Sequence, residues 1–257
     1  MSVPLFSCVI PVKGKRPFIR EAIDSLKPDV QGIDPDELEI IIQDGDVDAD
    51  SGQSDALNKG FAKAKGEWFF WLNADDILLP NSLQCVKRLI HPTTYWIAGN
   101  TVYIDSASTI IDVRWDYQWH EVLYKHMPVW SMGPSAFFRR SLFTDLGGFN
   151  VCLRYVMDID LWSRMAKRGY RYIIVNEQPI WAFRVHEDSL TSASRNKGSV
   201  EREYKSLLNA YGMRHYYFWR NCLRVVNVVS GAWAHALSLK RHVKSKKLWD
   251  VDCGWKI

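Results

Sequence analysis

The stretch Trp68-Phe69-Phe70-Trp71-Leu72-Asn73-Ala74-Asp75-Asp76 is an apolar run that stops abruptly at two adjacent carboxylates. The run reads as a buried strand. Adjacent acids at the end of such a strand repel each other and are costly to desolvate, so the pair calls for a cation or a polar ligand. Parallel α/β sheets collect ligands in the crevice beyond the carboxyl ends of their strands, where this pair falls. A divalent metal would meet that need. So would an Asp-Asp N-cap on a helix over 78–90, and the motif by itself leaves both readings open.

Residues 6–12, 38–42 and 67–72 read as strands, with helices over 17–26 and 53–64 between them. That spacing predicts a doubly wound, mostly parallel α/β sheet. A helix at 82–90, a strand at 95–97 and hairpin-like alternation over 102–113 follow. An aromatic, irregular segment, 121–134, reads as a loop beside a cleft. Helices at 140–146 and 158–167 each end at glycine, strands are expected at 172–175 and 180–185, and helices at 199–211 and from about 218.

A chain of 257 residues, 47% hydrophobic, can bury a large core. It fits one α/β domain over 1–198 with a basic helical appendage over 199–257. The net charge of +4 is uneven: the segment from Arg214 to Ile257 carries +7 and the rest −3. This balance does not point to nucleic acid. Five scattered cysteines without C-x-x-C spacing favour neither a disulfide framework nor a zinc site and suit a reducing cytoplasm. The first residues carry no signal-type pattern and no apolar run reaches membrane-spanning length, so a cytoplasmic protein is expected.

Four polar clusters follow strand ends or open a helix: Asp44-Gly45-Asp46, Asp75-Asp76, Asp158 with Asp160, and Arg184-Val185-His186. Metal-holding carboxylates, a separate carboxylate and a histidine would suit transfer of a group from a nucleotide diphosphate.

In this order the residues resemble the GT-A fold glycosyltransferases of family 2, an inverting group that uses nucleotide-sugar donors. The matching pieces are Val9-Ile10-Pro11-Val12, Ile41-Ile42-Gln43-Asp44-Gly45, the block from Asp50-Ser51-Gly52-Gln53 through Asp55 and Lys59 to Gly60, and Leu72-Asn73-Ala74-Asp75-Asp76. Leu146-Gly147-Gly148-Phe149, Asp158-Ile159-Asp160-Leu161-Trp162 and Phe183-Arg184-Val185-His186-Glu187-Asp188-Ser189 complete the set. The resemblance implies that Pro11, Val12, Asp44, Asp55, Lys59, Asn73 and Asp75 bind the nucleotide sugar, with Pro11 and Asp44 at the base and Asp75 at the ribose. It implies Mn2+ or Mg2+ on Asp76, with His186 a further contact, and Asp158 as catalytic base. Asp158 as a helix cap and His186 as an ordinary strand-end residue are the structural alternatives.

Two features depart from the family. Only 46–49 separate the Asp-Gly turn from the block that follows, and Met157 stands where an acid usually precedes the base. The alternating Asp44, Asp46, Asp48 and Asp50 also suggest a calcium loop, but Ala49 and Asp55, or Ser51 and Leu57, occupy the places that require Gly and Glu.

The expected activity is transfer of one sugar, UDP-linked by family habit, to a glycan or lipid-linked acceptor with inversion. Trp115, Trp119, Trp130 and Tyr155 are candidates for stacking on the acceptor. A binding or scaffold protein on the same fold, and a sugar nucleotidyltransferase using Lys13-Gly14-Lys15-Arg16 at the phosphates, are the alternatives. In the tail, Arg220, Arg224, Asn227, Ser230, Ser238 and Arg241 fall on one helical side and Cys222, Val225, Val229, Trp233, Ala236 and Leu237 on another. Such a stripe suits either an anionic membrane surface, placing the protein on the inner face of the cell membrane, or packing on the domain itself.

Overall fold

The computed structural model describes residues 3–115, 119–124, 126–129, 133–187, 197–213, 216–229 and 232–251. Strands β1 (Phe6–Val12), β2 (Leu38–Asp44), β3 (Trp68–Trp71), β4 (Ile77–Leu78), β5 (Trp96–Ile104), β6 (Ile110–Arg114), β7 (Ala136–Arg139) and β8 (Tyr172–Arg184) form one sheet. Its order is β2-β1-β3-β7-β5-β8-β4, with β6 also paired to β5. The β1–β2, β1–β3 and β5–β8 pairs are parallel, and the rest are antiparallel. Five strands therefore run one way, and their carboxyl ends share one edge of the sheet.

Helices α1 (Ile19–Ser25) and α2 (Pro28–Gln31) connect β1 to β2, and α3 (Gln53–Lys63) connects β2 to β3. Further along are α4 (Ser82–Arg88), α5 (Glu121–Tyr124), α6 (Arg140–Asp145) and α7 (Met157–Lys167). Helices α8 (Lys197–Ala210), α9 (Tyr216–Val229) and α10 (Ala232–Val243) follow β8.

The two-residue period of β3 explains why four aromatics stand in a row. Phe69 and Trp71 belong to the core on one face, with Phe61, Trp96, Phe138 and Trp162, while Trp68 and Phe70 belong to the core on the other, with Phe6, Ile10 and Leu83. The first face continues as a stack, Trp71 on Trp162 at 6.1 Å and Trp162 on Trp96 at 5.2 Å between ring centroids. Trp162 comes from α7, so the stack seats that helix on the sheet.

Several expectations are corrected. The helix expected at 82–90 is α4, and the alternative of a helix from 78 fails because Ile77 and Leu78 pair with Ala182 and Trp181 of β8. Helix α4 starts only after Asn81, whose φ of 59° turns the chain. Asp75-Asp76 is therefore not its N-cap. Strand β7 has no counterpart among the expected elements, and 172–175 and 180–185 are one strand, with a register shift opposite Gly99–Asn100. The division at 198/199 falls inside α8. Leu208 of α8 and Tyr216 of α9 lie in the main core. Trp115 and Trp119 are packed into cores, and Trp130 lies outside the described residues. In the tail, α9 and α10 replace the one expected helix. Trp219, Cys222 and Leu223 pack on the core while Tyr217, Phe218 and Val225 are exposed. Ser230 and the side chains of Arg224, Asn227, Val229, Trp233 and Ala236 lie outside the described set.

At Gly60 on α3, a Cβ would come within 2.4 Å of Val9 Cγ1 on β1. Alanine should favour the helix by about 1 kcal/mol, but Val9 is β-branched and fixed in a central strand. We expect Gly60→Ala to lower unfolding stability by about 1–3 kcal/mol through overpacking. Adding Val9→Ala to Gly60→Ala should recover part of the loss in urea titrations, although Val9→Ala alone destabilises.

Candidate active site

A cleft of about 1770 Å³ opens at the shared carboxyl edge of the sheet. Pro11, Val12, Asn73, Asp75, Asp158 and His186 line it, whereas Asp44, Asp55, Lys59 and Asp76 lie outside it. The ends of β1, β3 and β8 and the start of α7 thus bring together six of the ten residues expected there.

The two adjacent acids separate completely. Asp75 is partly exposed, and its Oδ2 lies 2.9 Å from Nε2 of His186. Asp76 is fully buried. Its oxygens accept the Asn73 side-chain amide at 2.8 Å and the Arg184 backbone N–H at 2.9 Å. Burial, with the Asp75 charge adding to it, holds the Asp76 carboxyl well above the usual carboxylate range. Of the residues expected to hold a metal, Asp76 has its oxygens turned into the protein, and Asp75 is the acid that lines the cleft beside His186.

Arg184 is itself fully buried at the end of β8. Its Nε donates to the Asp75 carbonyl at 2.8 Å, and the guanidinium also reaches Ser108 Oγ (2.9 Å) and Glu21 (2.8 Å). The guanidinium lies 4.2 Å from the centre of the Phe18 ring, and that ring lies 5.5 Å from His186. The cleft edge is thus held from beneath.

Residues 44–59 fold upon themselves. Asp44 pairs with Arg16 at 2.7 Å, and Asp46 accepts from Gly14 N and Arg16. Asp48 takes Gln43 and Lys63, and Asp55 takes Ser51 N and pairs with Lys59 at 3.4 Å. Asp44, Asp55 and Lys59, expected at the donor, make these contacts within the turn and do not line the cleft. The same contacts answer two other readings. The four aspartates are matched to cations and amides rather than gathered as calcium ligands, and the Gly14 amide is spent on Asp46 rather than presented to a phosphate. Lys13, Lys15 and Arg16 still line the cleft as cations, and Arg154 and Lys197 join them from the far side.

Asp158 stands near the start of α7, half-buried, its Oδ1 accepting the Ile159 N–H at 2.8 Å. Burial pushes its pKa up to about 6, against smaller lowering effects of backbone N–H groups and Arg114. A Cβ on Gly133 would come within 2.3 Å of Trp71 and 3.2 Å of Asp158 Oδ2, so the chain passes close over both. Asp160, two residues on, is buried and taken by Arg164 (2.9 Å) and Tyr211 (2.7 Å). Arg164 also donates to the Leu146 and Gly148 carbonyls. Asp160 is thus structural. The polar block of α3 does related work: Asn58 exchanges two hydrogen bonds with Phe149, and Gln53 donates to Asn73 at 2.8 Å.

Sequence reasoning missed Gln53, Arg154 and Glu203 near this site. Glu203 accepts backbone N–H groups from 154–156, which lie 47 to 49 positions earlier. No local pattern could have signalled it. Of the aromatics proposed for acceptor stacking, Tyr155 lines the cleft.

A strand-edge cleft thus holds a carboxylate–histidine pair and a partly buried aspartate. The model of the family described as "Glycosyl transferase family 2" matches residues 47–156. An uncharacterized glycosyltransferase of Rickettsia typhi is 25% identical over 236 residues, covering 81% of this chain and 71% of that protein. A PGL/p-HBAD biosynthesis glycosyltransferase of Mycobacterium bovis is 26% identical over 186 residues, covering 62% and 69%. In fold, the chain is similar to S. aureus TarS 1-349 in complex with UDP-GlcNAc, with a TM-score of 0.54 and 15% identity over 72% of this chain and 59% of that one. It is likewise similar to the mannosyltransferase PcManGT of Pyrobaculum calidifontis in complex with GDP-Man and Mn2+, with a TM-score of 0.52 and 21% identity over 72% and 58%. The chain therefore spans less than two thirds of these solved structures. The fold is GT-A, and the region 47–156 is similar to glycosyl transferase family 2.

The raised pKa of Asp158 has a consequence for stability. Its folded value, about 6, lies above the ordinary 3.8, so the folded state binds the proton more tightly. Folding stability is then lost as pH rises from about 4 through 6, and the cost is fully present above 6. An asparagine at this position would not titrate. Asp158→Asn should therefore gain melting temperature relative to the parent between pH 4.5 and pH 8, measured by thermal unfolding at both.

Proposed function

We propose that the chain transfers a single sugar from a nucleotide-sugar donor, UDP-linked, to a hydroxyl of a glycan or lipid-linked acceptor, with inversion at the anomeric carbon. The observation that carries this reading is the sharing of one cleft by the Asp75–His186 pair and the desolvated Asp158. Relatives named for PGL/p-HBAD biosynthesis favour a lipid-linked acceptor.

In this reading Asp158 accepts the proton of the acceptor hydroxyl as that oxygen bonds to the anomeric carbon. The bond from that carbon to the diphosphate oxygen breaks on the opposite side. With a pKa of about 6, Asp158 is ionised at neutral pH yet more basic than an exposed carboxylate, which suits a general base. Lys13, Lys15 and Arg16 supply positive charge on the donor side. Pro11 and Val12 form the floor at the end of β1.

Asp75 and His186 fit a Mn2+ or Mg2+: oxygen and nitrogen donors stand side by side and partly exposed. No group of three or more His, Cys, Asp or Glu gathers among the described residues, so phosphate oxygens and water would complete the set. When bound, such an ion would neutralise the departing diphosphate.

A screen of nucleotide sugars, read by released nucleotide diphosphate, tests the reading. Asp158→Asn should bind nucleotide diphosphate as the parent does and lose roughly 10²- to 10⁴-fold in transfer rate. Asp75→Asn should raise the metal concentration needed for half-maximal rate, while full parental activity in excess chelator would remove the metal from the scheme. Diphosphate binding with no turnover on any acceptor would favour the scaffold reading.

Attachment to an anionic membrane surface is the second part of the proposal. Among the described residues no helix is long and apolar enough to cross a membrane. Yet α9 exposes Tyr217, Phe218 and Val225, and the residues around and after it are strongly basic. Sedimentation with anionic liposomes should fall as salt rises, and Phe218→Ser should weaken it at low salt. Equal pelleting with neutral vesicles would overturn the electrostatic part.

A further inference from the structure

We propose that Glu203 of α8 is a positioning residue that sets the start of α7 and thereby the placement of Asp158, a role that rests on the transfer reading above. The first N–H groups of a helix have no partner within it and carry partial positive charge. Val156, the N-cap of α7, makes no side-chain cap. Met157, which follows it, has a thioether beside Ser54 Oγ rather than a carboxylate.

Glu203 supplies an acid to the turn before α7 from a distant part of the chain. Its Oε1 accepts the backbone N–H groups of Arg154 (3.0 Å), Tyr155 (2.6 Å) and Val156 (2.9 Å), and Oε2 shares the first at 3.0 Å. One side chain thus holds three consecutive amides of the turn that delivers Asp158. Asp160, the other acid in the first turn of α7, is engaged by Arg164 and Tyr211 and does not take this place.

The tie also joins two segments that line the cleft, Arg154, Tyr155 and Val156 before α7 and Val200, Glu201 and Tyr204 of α8. Beneath them Leu207 packs with Val156 and Ile159. A charge-assisted bond with three donors is directional, whereas the leucine contact is not. Glu203 therefore sets where the turn lies, and Leu207 contributes to how firmly the helices adhere.

The experiment compares Glu203→Ala, Glu203→Gln and Leu207→Ala with the parent in steady-state transfer, nucleotide-diphosphate binding and thermal unfolding. Glutamine keeps an oxygen that accepts N–H groups, and alanine does not. Glu203→Ala should lower kcat about ten- to a hundredfold, the scale of a small misplacement of a reacting group, with donor KM and diphosphate affinity within about twofold of the parent. Glu203→Gln should restore most of that rate. Leu207→Ala should lower the melting temperature at least as much as Glu203→Ala with a smaller loss of kcat. Parental kcat in Glu203→Ala, or a kcat that only tracks melting temperature across all three variants, would overturn the positioning role and leave the transfer reading intact. Absence of transfer by the parent chain with every donor would overturn both.

Discussion

A buried guanidinium is the constraint around which the cleft is arranged. Arg184 is fully enclosed at the end of β8, where an unpaired charge would cost several kcal/mol. Its donors must therefore be met, and they are met by the Asp75 carbonyl, the turn at 105–108 and Glu21 of α1. Its own backbone N–H goes to Asp76. These bonds join the last long strand to the loop after β3 and to the first helix. Asp75 and His186 sit at the two ends of that junction, so their 2.9 Å approach follows from the pairing beneath them rather than from any local preference of either residue.

The same logic runs through the rest of the site. Gln53 orients Asn73, Asn58 clasps the loop at Phe149, Arg164 holds the carbonyls of 146 and 148, and Glu203 gathers the amides of 154–156. Several polar residues of the family-like motifs therefore act on backbone, while Gln53, Asn73, Asp75, Asp158 and His186 line the cleft. Rigid placement is what a group that must meet a developing bond requires. Asp158 shows the cost: it is held where burial disfavours its charged form.

Much of this was legible in the linear chain. The apolar runs within 6–12 and 68–72 marked buried strands, and the glycines after 146 and 168 marked helix ends. Lys13, Lys15 and Arg16 were visible as a basic segment after the first strand, although their partners were not. Strand β4 was not legible because two residues carry no period and pair only with a strand a hundred positions away. Strand β7 was hidden for a similar reason: four residues beside an irregular aromatic segment offer too short a pattern to read.

The order of strands and helices, the two-sided burial of β3 and the set of acids at the strand ends follow from side-chain period and from the cost of burying charge, and both are properties of the linear chain. Neither can choose between neighbours. Asp75 and Asp76 are chemically identical, and which one faces the cleft depends on the side each takes once Ile77 and Leu78 join β8. Nor does period or charge reveal that Asp44, Asp55 and Lys59 are consumed by their own turn, or that an acid from α8 gathers the amides of 154–156. Those are contacts between segments far apart in the chain, and only packing the sheet and helices together sets their distances.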